Sequence, residues 1–75
     1  SRLAKRLVHL AEIFGKPVPG GVRIEIALSQ QQLGNMVGMS RESMNKQLRQ
    51  WREENLIRIQ DGYYVITDLN ALRAM

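Results

Sequence analysis

Seventy-five residues make one domain, of the small kind that buries only about 60% of the surface its unfolded chain exposes. A content of 44% hydrophobic and 24% charged residues is that of a globular chain, and the absence of cysteine excludes disulfide scaffolds, thiolate zinc sites, iron–sulfur clusters and a cysteine nucleophile. Eleven Lys and Arg against seven Asp and Glu give a net charge of +4 and a pI near 10.1. That balance points to a polyanionic partner, nucleic acid before an acidic membrane. A single histidine, His9, does not make a metal site alone. No apolar run approaches the roughly 20 residues of a membrane span, and no signal-peptide core is present. The chain begins at Ser1 without a methionine and is expected to be a piece of a longer protein.

Arg2 to Phe14 has helical spacing, with Leu3, Leu7, Leu10, Ala11 and Phe14 on one stripe. His9 falls off that stripe and is read as a surface residue, neither ligand nor base. Gly15, Pro17, Pro19, Gly20 and Gly21 then predict a loop. Val22 to Leu28 alternates, with Val22, Ile24 and Ile26 on one side and Arg23 and Glu25 on the other, as in a half-buried strand. Ser29 with Gln32 three residues on is a capping box, so a helix is expected from Gln30. Leu33, Met36 and Val37 form its apolar face and Gly38 ends it.

After Gly38 and Met39, Ser40 is a second N-cap, opening a longer helix over residues 41–54. Leu48 and Trp51 lie within about 40° of Met44 on a helical wheel, and these three define its buried face. Trp51 and the methionines are read as core, and Asn55 as the left-handed residue that closes the helix. Leu56–Gln60 and Tyr63–Ile66 are strand candidates around Asp61-Gly62, a strong hairpin signal. Only one of Tyr63 and Tyr64 can face inward. Thr67 is the expected cap of a last short helix carrying Leu69 and Leu72.

This order predicts an α+β chain. A short helix and a longer one joined by a glycine-containing turn are a helix-turn-helix, and the hairpin after them makes it winged. Gly34 leaves room for the second helix, Gly38 permits a sharp turn, and Met39 and Met44 fill the angle beside Leu33 and Val37. A helix that enters the major groove presents polar residues opposite its buried face. Here those are Arg41, Glu42, Asn45, Lys46 and Arg49, the candidate base readers. Glu42 within a basic patch favours base reading, because it would repel phosphates, yet it also suits an i, i+4 pair with Lys46. Both readings stand, in the bound and the free state. Candidate phosphate contacts are Gln30 and Gln31 at a helix N-terminus, Ser40, Ser43, and Gly62 and Tyr63 at the hairpin tip. Arg52 and Arg58 are candidates for further basic contacts, with a structural salt bridge or plain solvation the favoured reading for Arg52.

The run LSQQQLGNMVGMSRESMNKQLRQWREENLIRIQDGYYVI resembles the DNA-binding domain of the Crp/Fnr family of bacterial transcription regulators. Gly34, Val37-Gly38, Ser40-Arg41-Glu42-Ser43 and Asn55-Leu56-Ile57 carry the likeness, which covers nearly the whole chain. The resemblance implies that Arg41, Glu42 and Lys46, with Asn45 in some members, read bases, and that Ser40 and Ser43 touch phosphates. It implies a cytoplasmic homodimer that binds near-palindromic double-stranded DNA and recruits or blocks RNA polymerase, with no membrane involved. An N-terminal sensory barrel and a dimer helix would precede Ser1, and the isolated chain would be monomeric or weakly self-associating. No cofactor belongs to this domain, and a cyclic nucleotide, a haem, an iron–sulfur cluster or no effector fits the parent equally. Lys46 stands where many members have Arg, so a bidentate fork becomes a point charge, and Gln47 stands where many have an apolar residue. A winged helix for protein–protein contact in a transcription assembly is the alternative. It requires an exposed apolar patch. An enzyme is not expected, because His9 has no evident partner and Glu53 and Glu54 point apart on a helix.

Overall fold

A computed structural model describes residues 1–75. The elements follow as α1 (Arg2–Phe14), β1 (Gly15–Val18), β2 (Gly21–Ile24), α2 (Gln30–Val37), α3 (Arg41–Glu53), β3 (Ile57–Gln60), β4 (Tyr63–Ile66) and α4 (Leu69–Arg73). Ser1 caps α1 by accepting from the Ala4 N–H. The helix buries Leu3, Ala4, Leu7, Val8, Leu10 and Ala11, and packs on α4, β2 and α2. Phe14 departs from the expected stripe and is 39% exposed. It is the last helical residue, and Gly15 already has extended geometry, so no element covers it.

The sheet is antiparallel in the order β1-β2-β4-β3. The segment 15–21, expected as a loop, is instead the edge strand β1 and a two-residue turn at Pro19-Gly20. An edge position accommodates Pro17, which lacks a donor for one side of the ladder. The strand expected over Val22–Leu28 stops at Ile24. Its partner β1 begins at Gly15, opposite Ile24, and β4 pairs only with Val22 and Arg23. Beyond that point Glu25 makes one further bond to the Phe14 carbonyl, at 2.8 Å. Ile26 and Leu28 still pack against the core from the loop.

The β3–β4 hairpin turns through Asp61 and Gly62, whose φ values of 52° and 83° are the positive pair its sequence demands. Tyr64 is the inward tyrosine and Tyr63 the outer, half-buried one. Burial pushes the Tyr64 phenol up. α4 is capped by Asp68, not Thr67: Asp68 Oδ1 accepts from the Ala71 N–H at 3.0 Å. The Thr67 hydroxyl donates instead to the Asn55 carbonyl, and the Thr67 N–H to the Leu56 carbonyl at 3.0 Å. Asn55 itself has φ 59°, the left-handed geometry that turns the chain out of α3.

Candidate nucleic-acid interface

The helix-turn-helix is built from local chemistry. The Ser29 hydroxyl accepts from the Gln32 N–H at 3.0 Å while the Gln32 side chain accepts from the Ser29 N–H at 2.9 Å, closing the capping box of α2. Leu33, Gly34 and Val37 are buried. A methyl group at Gly34 would lie 2.9 Å from the Met39 carbonyl oxygen and 3.6 Å from Met44 Cγ, so the turn packs against bare backbone there. Gly38 ends α2 with φ 72°, and its N–H donates to the Gly34 carbonyl. A Cβ-bearing residue would be strained in that conformation.

Met36, expected in the apolar face, is 40% exposed. Leu33 and Val37 already fill the contact with the core, and eight residues of helix do not wrap a third apolar position inward. The other methionines divide as well: Met44 is buried, Met39 is half-buried against the core and Met75 is exposed at the chain end. Met44 lies between α2 and α3, as the turn requires.

α3 buries Met44, Leu48 and Trp51. Its opposite face carries Glu42, Lys46 and Arg49, all exposed, with Asn45 half-buried at the side and Arg41 exposed at the first position of the helix. None of these takes part in an ion pair, since the only two pairs in the chain are Arg23–Glu25 and Lys16–Glu25. Glu42 and Lys46 are not paired, so the i, i+4 reading is not met in this structure. Glu42 sits in the first turn of α3, where the helix dipole favours an anion. Gln47 is half-buried at the core edge. Arg52 is exposed and without an acidic partner, so the structural salt bridge favoured for it is not formed.

Ser40 caps α3, its Oγ accepting from the Ser43 N–H at 3.2 Å. The Ser40 hydroxyl then donates to Ser43 Oγ at 3.1 Å. A hydroxyl has one proton to give, so the Ser43 proton stays available for an outside acceptor. At the start of α2, Gln31 donates to Asn35 Oδ1 at 3.2 Å, and Gln30 is half-buried with its amide uncommitted. At the wing tip, Gly62 is exposed with nothing within 4 Å of where a side chain would begin. Tyr63 lies under the Arg23 guanidinium, 5.6 Å from the ring centre. Arg58 is not free: its Nη2 donates to the Pro19 carbonyl at 2.7 Å.

A further basic surface lies outside the helix-turn-helix and the wing, with no counterpart among the expected site residues. Arg2, Lys5, Arg6 and His9 line a cleft of about 520 Å³ with Met36, Val37 and Gly38, between α1 and α2. Its sequence signal is four basic residues at i, i+3, i+4 and i+7 on one helix face. His9 is exposed, as expected. No helix of the chain is long and apolar enough to cross a membrane.

Comparison with known proteins places this geometry. The family model described as the Crp-like helix-turn-helix domain matches residues 1–75. The chain is 35% identical over 71 residues to a CRP-like cAMP-activated global transcriptional regulator of Mycobacterium tuberculosis, covering 95% of this chain and 32% of that protein. It is 39% identical over 59 residues to the global nitrogen regulator of Synechocystis, covering 79% of this chain and 26% of that protein. It thus spans about a third or less of the curated relatives it matches. Among solved structures, the CO-dependent transcription factor CooA of Carboxydothermus hydrogenoformans superposes with a TM-score of 0.86 at 26% identity, over 97% of this chain and 35% of that one. Reduced CprK shares the fold, with a TM-score of 0.88 at 23% identity, over 97% and 35% of the two chains. The chain belongs to the Crp-like helix-turn-helix family, the DNA-binding domains of Crp/Fnr-type transcription regulators.

Proposed function

We propose that this chain reads half of a near-palindromic double-stranded DNA site with α3 in the major groove. Arg41, Glu42, Asn45, Lys46 and Arg49 face base edges. Arg41, Arg49 and Lys46 donate to guanine, Glu42 accepts from a cytosine amine and Asn45 suits adenine. Lys46 donates as a point charge and tolerates more geometries than an arginine fork. Ser40, Ser43, Gln30 and Gln31 hold one stretch of backbone, and Gly62 with Tyr63 another. Phosphate contacts of this kind fix register and carry no sequence information. The parent acts as a bacterial homodimer in the cytoplasm with RNA polymerase as its further partner. The isolated chain is monomeric or weakly associating, and binds a half-site far more weakly than two linked modules bind a full one.

One observation carries the reading: a polar α3 face without a single ion pair, opposite a face that is wholly buried. The apolar residues that remain exposed, Ile13, Phe14, Met36, Ile59 and Met75, all lie off α3, which disfavours protein docking by that helix. The test is selection of preferred duplexes from a random pool, repeated with two variants. Glu42→Ala relaxes preference at one base position by about 1–3 kcal/mol, whereas Ser43→Ala weakens all sequences alike. Equal losses with unchanged preference would remove base reading from Glu42.

A further inference from the structure

The cleft between α1 and α2 is lined by Arg2, Lys5, Arg6 and His9 and by no acidic residue. None of its cations belongs to an ion pair, and α2, the opposite wall, has no charged residue at all. Like charges at i, i+3 and i+4 destabilise a helix, so this stripe is an uncompensated cost in the free protein. From Arg2 to His9 it runs about 10 Å along α1. One DNA strand presents about three phosphates over that length of helix axis. The stripe also adjoins the reading head: Arg2 Nη1 comes within 3.8 Å of where a side chain on Gly38 would begin, two residues before the cap of α3. A duplex that receives the N-terminal end of α3 in its groove brings a backbone strand beside that turn. Met36, exposed on the cleft wall, offers an apolar surface suited to deoxyribose.

We infer that this cleft is a second backbone clamp, in which Arg2, Lys5, Arg6 and His9 hold the phosphodiester strand next to the base pairs read by α3. The inference rests on the DNA reading proposed above and adds to it a site on a different element. The clamp contributes affinity and salt sensitivity but no base preference. It also explains why Met36 is left uncovered.

The experiment is fluorescence anisotropy of the 75-residue chain with a 40-base-pair duplex taken from the selection, across a range of salt concentrations. Lys5→Gln/Arg6→Gln is compared with the unsubstituted chain. Each lost phosphate contact makes the plot of log affinity against log salt shallower by about 0.9, so the double variant flattens it by about 2 and loses roughly tenfold or more in affinity at moderate salt. Its preferred sequence is unchanged. Arg6 is half-buried, so Lys5→Glu, at an exposed position, serves as a second variant that keeps the packing and still weakens binding. An unchanged slope in both variants, with the unsubstituted chain binding normally, overturns the clamp. So does an unchanged slope accompanied by weakened binding of polyglutamate, which would assign the cleft to an acidic protein. If the unsubstituted chain bound no duplex at low salt, the DNA reading itself would fall, a result distinct from failure of the clamp alone.

Discussion

Two basic surfaces of this molecule are made of similar residues and behave differently. On the outer face of the sheet, Lys16, Arg23, Val65 and Arg58 stand in one row across the four strands. Arg23 makes a two-pronged contact with Glu25, at 2.9 and 3.1 Å, and lies over Tyr63. Lys16 approaches the same carboxylate at 4.0 Å, and Arg58 is tied to the Pro19 carbonyl. Val65 is fully buried between Arg23 and Arg58, which suits the habit of long cationic side chains of laying apolar stems over such a residue. On α3 the cations have no such partners. The count of Lys and Arg therefore locates nothing by itself. What distinguishes the α3 surface, proposed above to receive a polyanion, is that its cations remain unpaired in the free protein.

The contrast is sharpened most strongly by removing what lies beneath α3. Leu48→Ala opens a cavity under the proposed reading face and lowers stability by about 2–5 kcal/mol, measured by urea denaturation, with DNA binding lost as the fold is lost. Next come the surface charges. Lys46→Ala lowers affinity for the preferred duplex by about 1–3 kcal/mol and leaves stability within about 0.5 kcal/mol. Arg23→Ala does the reverse: the melting temperature falls and the affinity holds. Should Arg23→Ala weaken DNA binding as much as Lys46→Ala, the distinction between committed and free cations would collapse.

Ser40→Ala joins the two properties at one residue. Loss of the cap costs about 0.5–2 kcal/mol of stability, and affinity falls for every duplex alike because Ser43 is no longer oriented. Thermal melts and anisotropy titrations on the same variant separate the parts. The smallest effect is in the pH dependence of the sheet face. The Arg23 guanidinium, hydrogen-bonded to Glu25, holds its carboxyl below the usual glutamate range. A depressed carboxyl stabilises the fold at pH values above its unfolded pKa, and that contribution disappears as pH falls through the folded value. Melting temperatures of the unsubstituted chain and of Glu25→Gln are thus expected to differ at neutral pH and to converge in acid. A constant gap down to acid would show that the contact is not electrostatic.

The helix-turn-helix was legible because its signals are local. The capping box at Ser29, the cap at Ser40, the left-handed geometries at Gly38 and Asn55 and the Asp61-Gly62 turn each involve residues within a few positions of one another. The proposed reading face followed from the position of Met44, Leu48 and Trp51, because burying one side of a helix exposes the other. The cleft on α1 was missed for the complementary reason. A basic stripe at helical spacing looks like any solvated face until a second element is set beside it.

The sequence by itself determined where helices begin and end around the turn, which side of α3 is buried and how the wing folds back, since hydrogen bonds and backbone preferences at neighbouring positions decide those. Only the tertiary structure decided that the Gly- and Pro-rich segment becomes the edge strand β1, that β2 ends where its partners run out and that Tyr64 turns inward. It alone uncovered Phe14 and Met36, and it alone brought Arg2 against Gly38. Each of these depends on a partner distant in the chain: periodicity specifies a face, and only packing specifies what that face meets.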